Sequence, residues 1–216
     1  MDEPSATDPR TRLRGTIPAR YRWTRHVALV AVFTTTGVAL PLARLDRFGL
    51  ADGLALTGML VAIVLGEWAS HRWTMHVPRF PRAVHHRHVV EHHAFFTDAR
   101  MAIDGWPDLR WVLFPSWALP LLVATVLPFF AGLYWLASPR LAWLFLLAVI
   151  GYYGVYEIVH VLAHVPLGTG PMGRFVAAAT RHHRVHHAPA LMRRWNSNFV
   201  LPLGDWLFGT TWRPDA

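Results

Sequence analysis

Four long uncharged runs alternate along the chain with short segments crowded with arginine and histidine. The first run is Val27 to Ala43, and the second extends from about Gly53 to Gly66 before continuing as helix through Glu67, Trp68 and His71. The third, Trp111 to Trp135, holds 25 uncharged residues interrupted by Pro115, Pro120 and Pro128, so a kink or re-entrant break is expected there. The fourth, Leu141 to Tyr156, continues through Glu157 to His160 and His164. Because about 20 helical residues cross a bilayer core of roughly 30 Å, the pattern predicts four transmembrane helices and an all-α fold. Core helices of a water-soluble protein give runs of similar length, but four of them, with Trp at both ends of the third, favour spans.

Arginine distribution gives the expected orientation. Six arginines precede the first run, six lie between Arg72 and Arg110, and six follow the fourth, whereas only Arg44, Arg47 and Arg140 remain for the other side. The positive-inside rule then places both termini and the 77–110 segment in the cytoplasm, with 44–52 and 136–140 as short outer loops. Residues 1–26 are read as a cytoplasmic N-terminal tail, its first fifteen residues disordered, and residues 27–216 as one membrane domain. The tail contains no apolar stretch that would make a cleavable leader. GTGPMG, from Gly168 to Gly173, reads as a loop.

Composition narrows the chemistry. Hydrophobic residues make up 53% of the 216, with 11 Trp, heavy for a water-soluble domain. Without cysteine there is no disulfide, thiolate metal site or thiol nucleophile, so any metal is held by nitrogen or oxygen. The net charge of +8 comes from arginine alone. It is spread among loops rather than gathered in one stripe, which argues against nucleic acid as a partner.

Thirteen of the fourteen histidines fall into four clusters: His71 and His76; HHRHVVEHH from His85 to His93; His160 and His164; and HHRVHH from His182 to His187. Each adjoins a predicted span, and the orientation argument puts all four on one side of the membrane. On an ideal helix His160 and His164 share a face, as do His183, His186 and His187, while His85, His88 and His92 form one stripe with His86 and His93 about 90° away. His71 and His76 diverge by about 140° on such a helix, so they are expected to reach different ions unless the helix ends between them. Imidazole is a versatile transition-metal ligand, and ten or more at these spacings exceed what one ion can use. A two-metal site is expected. Glu67 and Glu157 stand where an outer carboxylate accepts an N–H from a ligand imidazole, or where an interfacial charge pairs with arginine. Asn196 and Asn198 are candidates to orient a ligand or water, or to form a turn.

These residues resemble the fatty acid hydroxylase and sterol desaturase superfamily of membrane di-iron enzymes, from about Glu67 to Thr211. EWASHRWTMH resembles the first histidine box, His88 with His92 and His93 the second, YEIVHVLAH the third, and HHRVHH followed by NSNFVLPLGDWLFGTT the fourth box and its tail. The resemblance implies ten ligands: His71, His76, His88, His92, His93, His160, His164, His183, His186 and His187. His85 matches an extra upstream histidine of some members, whereas His86 and His182 have no counterpart. Val200 stands where many relatives carry glycine. A cytoplasmic helical cap from 77–110 and 165–216 is expected to close over the metals.

The implied activity is that of an oxidoreductase, an O2-dependent hydroxylase of a membrane lipid with two iron ions, a fatty acyl chain being the favoured substrate. Zinc is the expected substitute on overexpression. A separate cytochrome or ferredoxin-type electron donor is expected, since no cytochrome-like segment precedes the spans, and a bacterial cytoplasmic membrane is the expected location. Desaturation, or oxidation of a carotenoid or sterol-type lipid, is the alternative on the same site. A membrane metal or haem carrier is the alternative from another class, but carriers place ligands or charges within spans, and here the histidines lie at span ends and beyond. Zinc-dependent hydrolysis shares the same ligands.

Overall fold

A computed structural model describes residues 8–166 and 171–213. Its elements in chain order are α1 (Pro9–Gly15), α2 (Trp23–Leu42), α3 (Leu50–Ser70) running into a π turn (His71–Met75), α4 (Arg82–His85), a second π turn (His86–His92), α5 (His93–Phe95), a 3-10 turn (Trp106–Asp108), α6 (Leu109–Val112), α7 (Ala118–Leu136), α8 (Pro139–His164), α9 (Pro171–His187) and α10 (Leu203–Leu207). Among the described residues, four helices are long and apolar enough to cross a membrane: Trp23–Leu42, Leu50–Met75, Ala118–Leu136 and Pro139–His164. Among the described residues no strand forms, apart from an isolated bridge between Thr97 and Arg100.

The chain divides into two compact units, one of Met1–Trp23, Glu67–Leu113 and Val159–Ala216, the other of Thr24–Gly66 and Phe114–Ile158. The second unit carries most of the apolar helical length and shows its large side chains outward, among them Leu54, Val123, Leu127 and Phe129. In water such exposure is costly, whereas lipid solvates it. Within this unit α2 and α8 approach through glycine. A Cβ at Gly37 would lie 2.7 Å from Ile150, and one at Gly154 would clash with Thr34, so small residues set the interhelical distance. Arg140 pairs with Asp46 at 3.1 Å and with Asp52 at 2.6 Å, which ties the 44–52 and 136–140 turns together.

The other unit has an aromatic and aliphatic core of Leu13, Phe95, Phe96, Ile103, Leu109, Trp111, Val112 and Leu113. Burying each large aromatic contributes about 2–3 kcal/mol. The break expected in the third apolar run falls near its start: Leu109 and Trp111 to Leu113 belong to this core, Leu113 turns extended, and the span helix starts only at Ala118. Proline decides where. Pro115 falls in the break, Pro120 in the first turn where no amide bond is lost, and Pro128 alone lies deep inside α7.

The N-terminal tail is also more structured than expected, at least from Asp8 onward. Asp8 caps α1 by accepting from the Thr11 amide, and proline occupies the first turn, two helix-start signals. Arg10 is buried, donating from Nε to the Phe95 carbonyl (2.7 Å) and from Nη2 to the Arg100 carbonyl (2.6 Å). Arg14 pairs with Asp104 and Asp108 at 2.5 and 2.6 Å. Two arginines of the stretch expected to be disordered thus hold fixed partners, of which Phe95 and Asp108 are buried. Of the expected 168–173 loop, Gly168 to Gly170 lie outside the described residues, and α9 already begins at Pro171.

Candidate metal centre

Four backbone segments of the first unit deliver the histidines. The end of α3 widens into a π turn in which the His76 amide donates to the His71 carbonyl at 3.2 Å, five residues back. The second turn does the same, with the His93 amide donating to the His88 carbonyl. Such i to i+5 turns recur at functional sites. They bring residues five apart toward one face, correcting the expectation that His71 and His76 diverge. On α8, His160 and His164 share a face at i, i+4, and α9 supplies His183, His186 and His187.

The rings converge into two groups of four. His71, His76, His88 and His186 form one, and His92, His160, His164 and His183 the other, the ligand atoms of each lying within 4.8 Å of one another. His93 and His187 lie between them with stacked rings, centroids 4.2 Å apart. His93 Nε2 is 3.1 Å from His88 Nε2, and His187 Nε2 is 3.1 Å from His92 Nε2 and 2.9 Å from His183 Nε2. All ten histidines singled out from the sequence are therefore in one place, and nine are buried, His88 being half-buried. Helical stripes did not predict the partition: His88 and His92 go to different groups, and His186 leaves His183.

Hydrogen bonding fixes which nitrogen faces inward. Nδ1 of His71 donates to the Ser197 carbonyl (2.6 Å), that of His92 to Trp111 (2.8 Å), that of His164 to Met101 (2.6 Å) and that of His187 to Phe96 (2.5 Å). A carbonyl only accepts, so each Nδ1 carries the proton and each neutral ring presents a bare lone pair at Nε2. His92 and His187 then point two lone pairs at each other across 3.1 Å, a repulsive arrangement unless a cation lies in reach of both. Protonating a ring instead is opposed, because burial, reinforced by neighbouring imidazoles, holds His92, His183 and His187 well below the ordinary histidine range. Spacing agrees as well. Two nitrogens about 2.1 Å from one ion and at right angles to each other are about 3.0 Å apart, and the observed Nε2 to Nε2 edges are 2.9 to 3.1 Å. Each group can hold one metal ion, with donors that are neutral and nitrogen only.

The remaining candidates take other positions. Glu67 accepts from the Asn198 side chain (2.9 Å) and the Phe199 amide (2.7 Å), so it braces the 197–199 segment whose Ser197 carbonyl orients His71. Glu157 accepts from the Phe114 amide (3.1 Å) and the Tyr153 hydroxyl (2.8 Å), within the other unit. His71, the ring one turn from Glu67 in sequence, is held by the Ser197 carbonyl instead of a carboxylate, and His92, His164 and His187 likewise donate to backbone carbonyls. His182 contacts the Asn198 carbonyl through Nε2 (2.8 Å), and Asn196 holds the His182 carbonyl and the Trp212 amide. Asn196 adopts φ 55°, a left-handed conformation that asparagine tolerates. His85 belongs to neither group, and exposed His86 lies 3.7 Å from Glu91.

Sequence reasoning missed Asp205. Fully buried, it accepts from the Ser197 and Asn198 amides at 2.9 and 2.8 Å and from the Thr210 hydroxyl at 2.6 Å. Its one signal was an isolated acid in the apolar stretch LGDWLF. The carbonyls of Met101, Trp111 and Phe96 had none, since a backbone acceptor leaves no mark on residue type. No family model, no curated protein and no solved structure matches this chain.

Proposed function

We propose that this protein is a membrane-embedded di-iron oxidoreductase that hydroxylates a lipid, in the favoured case a fatty acyl chain, with its histidine centre on the cytoplasmic side. The observation that carries the reading is the pair of adjacent histidine groups with inward lone pairs, built partly from the ends of two candidate spans. The order and spacing of the four histidine boxes support oxygen chemistry, and the arginine asymmetry supports the orientation. Bound iron supplies the redox chemistry that activates O2, which no side chain here supplies. One oxygen atom would go to the lipid C–H bond and the other to water, with two electrons from a separate cytochrome or ferredoxin-type donor and two protons from solvent.

The chain's own part is to position and to exclude water. His71, His76, His88 and His186 would hold one ion, His92, His160, His164 and His183 the other, with His93 and His187 at the seam. The carbonyls of Ser197, Trp111, Met101 and Phe96 lock four rings in the ligand tautomer. Phe96 packs on His164 with centroids 4.1 Å apart and Phe199 on His183 at 4.4 Å, so apolar surface rather than water backs these ligands.

Isotopically labelled dioxygen supplied to expressing cells tests the reading. One labelled oxygen in a product lipid is expected. Label arriving from water indicates hydrolysis, and loss of two hydrogens without oxygen indicates desaturation, and either outcome rejects the hydroxylase assignment.

A further inference from the structure

The segment that orients His71 also carries an apolar face for which the site has no use. In and beside α10, Trp206, Leu207 and Phe208 are exposed in sequence, at 62, 64 and 50%, and Leu201 is nearly half exposed. Three consecutive large apolar residues turned outward are a patch rather than the scattered exposure normal at a surface. The face is rigidly held. Beneath it, Asp205 takes the bonds already described, the Trp68 indole donates to Thr210 at 2.9 Å, and the Phe208 ring stacks on Trp68 with centroids 4.2 Å apart. Gly204 is needed for this closeness, because a Cβ there would lie 2.7 Å from Trp68.

What covers the face follows from what it continues. Trp68 and the half-exposed Trp73 stand in the last turns of the candidate span Leu50–Met75, 5.3 Å apart, so α10 extends an aromatic cluster at the very end of a membrane helix. Arginine borders it: Arg72 lies over Trp68 and donates to the Arg194 carbonyl at 2.9 Å, and Arg194 lies over Trp195. Indole rings beside arginine at a span end are the composition of a membrane–water interface, with apolar bodies among the upper acyl chains and guanidinium groups at the phosphates.

We infer that Leu201 and Trp206 to Phe208 form an interfacial anchor that dips into the lipid headgroup and upper acyl region, a second membrane attachment for the unit bearing the histidines. The inference rests on the four-span reading but not on the oxidation chemistry. Its consequence for the site is short-range: the Asp205 carboxylate joins the anchor to the Ser197 amide, and the Ser197 carbonyl holds His71.

The absence of cysteine makes the test direct. Single variants Leu207→Cys, Leu127→Cys in the middle of α7, and Asp98→Cys at an exposed acidic position each take an environment-sensitive fluorophore in nanodiscs of phosphatidylcholine and phosphatidylglycerol. The Leu207 probe is expected to emit to the blue of the Asp98 probe and to be quenched several-fold more by a spin label high on the acyl chain than by one at the bilayer centre, the Leu127 probe showing the reverse preference. An Asp98-like Leu207 signal overturns the anchor. So does a blue-shifted signal that no lipid-borne quencher reaches, since protein would then cover the face. Neither readout depends on activity, so failure of the anchor and failure of the oxidoreductase reading are separable.

Discussion

The two histidine groups use one kind of side chain on two kinds of backbone. In the first, His71 and His76 come from a π turn and stand five residues apart, and His88 with its neighbour His93 repeats that arrangement. In the second, His160 with His164, and His183 with its neighbour His187, use ordinary helical turns four residues apart. The first group also includes half-buried His88, whereas every member of the second is buried. Ligand convergence therefore does not require one spacing. It requires that the backbone hydrogen bonding match the spacing, and a π turn makes five serve where an α turn makes four serve.

The largest effects should come from removing one ligand from each group. His76→Ala and His164→Ala are each expected to lower metal content from two equivalents to one, measured by elemental analysis of purified protein, with loss of activity in both. His164→Ala should also cost more stability, about 3 kcal/mol, because it opens a fully buried site and leaves the Met101 carbonyl without its donor. Loss of both ions from either variant would show that the groups are one cooperative unit, and the distinction drawn above would fail.

Acidification sharpens the contrast next. His76, His88, His92, His93, His183, His186 and His187 all have their protonation disfavoured, first by burial. Their folded values lie below the unfolded one, so the unfolded chain binds more protons as pH falls through about 6.5, and stability present above that pH is lost below it. Metal-free protein titrated from about pH 8 to about pH 5 should lose up to about 1.4 kcal/mol per pH unit for each such histidine, followed by thermal unfolding in detergent. A flat profile would contradict the neutral buried cluster.

A smaller and one-sided effect is expected at Asp205. Asp205→Ala frees the Ser197 and Asn198 amides and loosens the carbonyl that orients His71, so affinity at the first group should fall about 10–100-fold while the second is unchanged. Competition with a chelator reads the two affinities. Equal loss at both groups would mean that Asp205 acts on the fold as a whole. His86→Ala, at an exposed ring outside both groups, should leave both ions and activity unaltered.

Apolar run length made four span-length helices legible and histidine spacing made the four clusters legible, because both depend on what a side chain is and how often it recurs; which ten of the thirteen clustered histidines converge followed only from the resemblance. The division of the third run was only half visible: the prolines marked a break, but not that Trp111 would leave the span for the core around Phe95. The helix from Pro9 escaped notice for a related reason, since a basic residue such as Arg10 in a polar stretch reveals nothing of the carbonyls at Phe95 and Arg100 that it meets far along the chain.

By itself the amino-acid sequence determined the kinds of element and the inventory of clustered histidines. Periodicity and length are local, and lipid rather than tertiary packing is the expected solvent of the spans. Only the tertiary structure decided which histidine joins which group, which ring nitrogen faces inward, and that Asp205 and Glu67 brace the segment behind His71. Those outcomes depend on π turns and on backbone carbonyls, whose hydrogen-bonding groups are the same at nearly every residue and so become specific only once the chain has folded.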